Sequence, residues 1–195
     1  MQYRKFGKLD WQVSALGFGA MRMPTVDNDP GHIDEESATE MVHTAVDEGV
    51  NYIDTAFPYH REAGEAFLGR ALQNGYRQRV KLATKLPIWK VEQQSDFHKF
   101  FDIQLKRLDT DYIDFYLIHA LDAERWKKTK DLKILQALEK AQSQGLIGHI
   151  GFSFHDDYPV FKQILDEYEG WEFCQIQYNF MDVAYQAGRQ GLRDA

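Results

Sequence analysis

Tyr112-Ile113-Asp114-Phe115-Tyr116-Leu117-Ile118-His119 decides how the chain is read. It is almost continuously apolar and rich in aromatic and β-branched residues. It is also too short for a buried helix of ordinary length. Such a run fits a strand covered on both faces, the environment of a parallel sheet flanked by helices. Runs of the same kind occupy residues 15–20, 51–54, 79–85, 149–153 and 173–178. Between them lie segments with helical spacing. Ala38, Met41, Val42, Ala45 and Val46 fall on one face, with Gly49 as a stop. Gly64, Phe67, Leu68, Ala71 and Leu72 repeat the pattern before Gly75. Ser95 is placed to cap a helix burying Phe97, Phe101, Leu105 and Leu108. Leu132, Leu135, Leu138 and Ala141 mark a fourth helix ending at Gly145, and Asp157 with Pro159 opens a fifth. Residues 186–195 begin a further helical pattern, and residues 124–130, rich in lysine, read as a solvated loop.

Alternating strands and helices imply parallel strands joined by crossovers. Either an open doubly wound sheet or a closed β/α barrel satisfies that. Gly17-Phe18-Gly19 is only a fragment of the Gly-x-Gly-x-x-Gly fingerprint, which removes the main support for the open nucleotide-binding sheet. Residues 3–6 and 11–14 around Gly7-Lys8-Leu9-Asp10 read as a hairpin ahead of the first barrel strand, and residues 23–34 as a long loop after it.

The bulk properties narrow the function. The formal charge is −7, and acidic and basic residues are interspersed rather than gathered into a basic stripe, which argues against nucleic acid. A single cysteine, Cys174, excludes an internal disulfide framework and fits a reducing, cytoplasmic setting. No apolar run approaches the ~20 residues of a membrane-spanning helix. The histidines other than His119 show no metal-ligand spacing.

The expected strand ends carry the chemistry. Asp54 ends the second barrel strand, with Tyr59 in the following loop; Lys85 ends the third, and His119 the fourth. In a β/α barrel these ends open on one face, where active sites are built. A carbonyl that receives hydride needs a proton, which a tyrosine hydroxyl can give. A lysine ammonium beside a phenol favours the phenolate, a carboxylate orients the lysine, and an imidazole can hydrogen-bond the carbonyl oxygen. Singly, each residue has a duller reading: a loop cap, a packing tyrosine, a solvated lysine, a structural histidine. Together, in this order, they form a set.

Asn51-Tyr52-Ile53-Asp54-Thr55-Ala56-Phe57-Pro58-Tyr59, Ala83-Thr84-Lys85 and Asp114-Phe115-Tyr116-Leu117-Ile118-His119 resemble the catalytic segments of the aldo-keto reductases, across essentially the whole chain and in the family's order. The resemblance implies a (β/α)8 (TIM) barrel, of which residues 1–195 supply one incomplete domain of about six strand–helix units after an N-terminal β-hairpin. It implies reduction of an aldehyde or ketone with NADPH, NADH being the alternative cofactor. Tyr59 would be the general acid, Asp54 and Lys85 its tuners, and His119 the residue orienting the substrate. It implies cofactor contacts at Gly19, Ala20, Ser153 and Gln175, and a substrate pocket lined by Met21, Phe57 and Trp89, with Trp126 as a further aromatic. The expected partner is a small carbonyl compound, with no nucleic acid or membrane; the oligomeric state is open.

Two departures stand out. Many relatives have asparagine after the serine of the fifth barrel strand, where this chain has Phe154, and strands seven and eight of the barrel are not in the sequence. The chain is therefore expected to be a piece of a longer protein, with weak cofactor affinity and little activity by itself. The Gln177-Tyr178-Asn179-Phe180-Met181-Asp182 segment is similar to a subgroup carrying an iron–sulfur extension, though no cluster ligands are present. A cofactor-sensing regulatory subunit on the same fold is the alternative function.

Overall fold

The computed structural model describes residues 1–195. A two-stranded antiparallel hairpin, β1 (Tyr3–Lys5) and β2 (Gln12–Ser14), precedes a six-stranded sheet. The sheet strands are β3 (Phe18–Gly19), β4 (Tyr52–Asp54), β5 (Lys81–Leu86), β6 (Ile113–Leu121), β7 (Ile147–Phe154) and β8 (Phe173–Gln175). They lie side by side in chain order, all parallel. The helices are α1 (Glu35–Asp47), α2 (Gly64–Ala71), α3 (Asp96–Leu108), α4 (Ala123–Asp131), α5 (Ile134–Ser143), α6 (Tyr158–Glu167) and α7 (Gly188–Asp194). No helix is long and apolar enough to cross a membrane.

The period-2 alternation of a strand sorts β6 into two faces. Tyr116 meets the helix layer, its ring 5.2 Å from Phe101 of α3, and shares the main core with Ile118. Phe115 and Leu117 point the other way, into a smaller aromatic cluster closed from below by Phe6 and Trp11 of the hairpin, with Tyr52 and Phe173. The register aligns Ala83 with Phe115 and Phe115 with His149, and the His149 and Phe115 rings stack 4.9 Å apart. The inner face therefore runs Tyr52–Asp54, Ala83–Lys85, Leu117–His119, Gly151–Ser153 and Phe173–Gln175: apolar below, polar at the upper rim. Gly151 has no room for a side chain, because a Cβ there would stand 2.5 Å from the Phe173 ring and 2.6 Å from its carbonyl oxygen.

Several expectations need correction. The lysine-rich run is helix α4, not a loop. The Asp122 carboxylate caps it by accepting from the Arg125 N–H at 2.7 Å, and Trp126 and Thr129 are buried beneath its charged face. The next helix starts at Ile134, after Lys133 in a left-handed conformation (φ 53°). Ser95 makes no side-chain cap; the Asp96 carboxylate instead accepts from the N–H groups of Glu92 and Gln93. Asp157 likewise leaves its helix uncapped, while Asp156 accepts from Asp157 N–H and Ala123 N–H. Met41 is exposed on α1, and the first and last barrel strands are shorter than residues 15–20 and 173–178.

Candidate active site

Lys85 organises the upper rim. Only 1% exposed, its ammonium donates to both carboxylate oxygens of Asp54 at 2.7 Å and to the Thr55 carbonyl at 2.9 Å. It also reaches the Tyr59 hydroxyl at 3.4 Å. A buried ammonium is tolerated only when it is paired and its protons have acceptors, and here four oxygens stand within reach of its three protons, so the two Asp54 oxygens can share one. Asp54 is held in turn from β3, whose Gly19 is its register partner and whose neighbour Ala20 donates its N–H to the Asp54 carbonyl.

A strained turn follows Tyr59 directly. His60, Arg61 and Glu62 all have left-handed backbones (φ 52°, 50° and 72°), costing on the order of 1 kcal/mol each or more. Side chains hold them there. The His60 Nδ1–H donates to the Pro30 carbonyl at 2.9 Å, and Nε2 accepts from the Met23 N–H at 3.1 Å, which assigns a neutral tautomer and ties the turn to the long loop after β3. Arg61 pairs with Asp29, and Glu62 with Lys90 and Arg107.

His119 faces Tyr59 across the rim, ring centroids 6.1 Å apart and nearly perpendicular. The imidazole is nearly buried, and its Nδ1 has no hydrogen-bond partner. Burial first, then the Lys85 ammonium and the nearby His155 and Arg125, lower its pKa to about 3, so at neutral pH the ring is uncharged. Trp89 lies 5.1 Å from it and is partly exposed, at the edge of the rim.

Ser153 and Gln175 are register partners on β7 and β8, at the same height on the inner face. The Ser153 hydroxyl oxygen accepts from the Ala120 N–H at 2.7 Å, and its own proton finds no acceptor in the protein. A Cβ at Gly19 would meet nothing within 4 Å, so the backbone there is open to close approach. Met21 is exposed beyond it.

Two residues expected in the pocket are elsewhere. Phe57 belongs to the helix-side core, its ring 5.4 Å from Phe100 and covered by the Arg107 guanidinium at 4.4 Å and the Lys90 ammonium at 4.9 Å. The chain has left β4 by residue 57, so strand parity no longer sets its direction. Trp126 is buried under α4, its indole N–H donating to Glu167 at 2.8 Å. Phe154 also turns to the helix side, 5.1 Å from Phe161, and the His155 ring is engaged by Gln186. His60, Ala120 and Arg125 support the rim and carried no motif in the sequence, and Thr55, inside the Asn51–Tyr59 stretch, was given no role there.

The profile described as the aldo/keto reductase family matches residues 15–190. A probable aldo-keto reductase 1 from Glycine max is 31% identical over 157 residues, 76% of this chain and 44% of that protein. Among solved structures, an aldo-keto reductase from Bacillus halodurans in its holo form superposes with a TM-score of 0.73 at 29% identity, covering 91% of this chain and 58% of that one. One from Klebsiella pneumoniae in complex with NADPH gives 0.68 at 28% identity, covering 86% and 55%. The chain thus spans about half the length of these relatives, as a six-stranded part of the eight-stranded barrel. On the family match and the superposition of its sheet on these reductases, the chain belongs to the aldo/keto reductase family.

Proposed function

We propose that residues 1–195, as one incomplete barrel domain, carry the proton-delivering rim of an NADPH-dependent reductase that converts a small aldehyde or ketone to the alcohol. The supporting observation is the single ammonium of Lys85 that binds both oxygens of Asp54 and reaches the Tyr59 hydroxyl, with the His119 ring across the gap.

Tyr59 is the general acid: its O–H proton passes to the carbonyl oxygen as negative charge develops there. Lys85 stabilises the phenolate left behind by charge and hydrogen bond, and Asp54 keeps the ammonium in place. His119, uncharged at neutral pH, donates one ring N–H to the carbonyl oxygen and fixes its position without competing as an acid. Trp89 and Met21 supply apolar surface at the entrance. Phe57 has no part in it.

The rim fits a nicotinamide. The Ser153 hydroxyl has a proton to give to a carboxamide oxygen, Gln175 stands beside it, and Gly19 and Ala20 offer a bare backbone edge. When bound, the cofactor supplies the hydride. The relative crystallised with NADPH favours that form over NADH.

Following NADPH absorbance with a panel of aldehydes and ketones, in the full-length protein, tests the reading. Tyr59→Phe should lower kcat by about 10²–10⁴-fold, the range of a lost general acid. Turnover that survives that substitution contradicts it.

A further inference from the structure

His119 sits on an irregularity. Ile118 pairs with Phe152 and Leu121 with Phe154, so His119 and Ala120 together stand opposite the single residue Ser153. Two residues facing one is a β-bulge, which bends the strand and re-aims the side chains at it. Its second residue, Ala120, has a left-handed backbone (φ 54°), where glycine is at ease and alanine is not.

Two bonds hold it. The Ala120 N–H donates to the Ser153 hydroxyl at 2.7 Å, and its carbonyl accepts from Arg125 Nη1 at 2.8 Å. Arg125 is itself fixed: its N–H is held by the Asp122 cap, and its guanidinium stands 3.1 Å from the Asp122 carboxylate. The same guanidinium lies 5.7 Å over the Trp89 ring, which lies 5.1 Å from His119. One side chain thus braces both the backbone that carries His119 and an aromatic that flanks it.

We propose that Arg125 is a positioning residue for the reduction, acting through the Ala120 bulge and Trp89 to aim the His119 imidazole. The proposal rests on the reductase reading above. Without the guanidinium, the Ala120 carbonyl loses its partner and the strained backbone relaxes toward a regular strand.

Arg125→Met, which keeps the aliphatic stem, is measured alone and combined with Ala120→Gly. Glycine adopts the left-handed backbone without help, so it should remove the need for the guanidinium at the bulge and leave only its contact with Trp89. The expected result is a kcat loss of about tenfold for Arg125→Met, with KM for NADPH within about twofold, as for a small displacement of a reacting group. Against an Ala120→Gly background the same substitution should cost less than about threefold. The His119 Cε1–Hε1 NMR resonance should move in Arg125→Met and return in the double variant. Equal losses in both backgrounds, a loss confined to KM for the carbonyl compound, or an unmoved His119 resonance would each overturn the proposal. Persistent turnover in Tyr59→Phe would instead remove the reductase reading, while the resonance still reports on the bulge.

Discussion

Replacing Asp54 by asparagine should destabilise the protein more than a surface change of the same size. Lys85 is 1% exposed, and its ammonium lies 2.7 Å from each Asp54 oxygen. At that distance, with an effective dielectric near 20, the attraction is roughly 6 kcal/mol. Much of it offsets the cost of taking both charges out of water. Breaking one side of such a pair costs about 3–5 kcal/mol, because the other charge is left buried. Asparagine retains one acceptor oxygen, and the Thr55 carbonyl stays at 2.9 Å, so the lower end of that range, about 3 kcal/mol, is expected. Urea unfolding at pH 7 measures it. Lys85→Met alone and with Asp54→Asn completes a double-mutant cycle in which the double variant should be more stable than Asp54→Asn by at least about 1 kcal/mol. An Asp54→Asn variant within about 0.5 kcal/mol of wild type, or strictly additive losses, would refute the argument that the pair is buried and mutually dependent.

Three further outcomes follow from the same geometry. The His119 imidazole takes a proton only near pH 3 when folded but near 6.5 when unfolded. The stability it contributes is present above about pH 6.5 and drains away as pH falls toward 3, so His119→Gln should lose about 3 kcal/mol less than wild type between pH 7 and 4 in urea titrations. Gly151→Ala forces a Cβ against the Phe173 ring and carbonyl and should cost about 2–3 kcal/mol by the same assay. Burial raises the Cys174 thiol to about pKa 11, so its alkylation at pH 8 should run on the order of 100-fold slower than that of a free thiol, through its lower thiolate fraction.

The alternation of parallel strands and helices, and which residues share a strand face, were legible in the sequence because both rest on a short-range regularity. In β6, Phe115, Leu117 and His119 share a face by alternation, and the same parity places Lys85 above Ala83 and Ser153 above Gly151. Alternation ends where the strand ends, and there the reading failed. Phe57, three residues past Asp54, turned into the helix-side core. Helix α4 was hidden because a helix shielding Trp126 and Thr129 with lysines shows too few apolar positions to register as periodic. The braces around Tyr59 and His119 depend on left-handed residues, His60 to Glu62 and Ala120, that are not glycine. Residue type gives no hint of such strain; only the completed hydrogen bonds from His60 and Arg125 reveal it.

Tyr59 and Lys85 deliver the proton as one unit, a coupling read out by the kcat cycle of Tyr59→Phe, Lys85→Met and the double variant in the full-length protein. Groups that act together are strongly non-additive, so the double variant should fall no more than about threefold below the worse single one. Losses that multiply, each substitution costing as much in the presence of the other as alone, would contradict it.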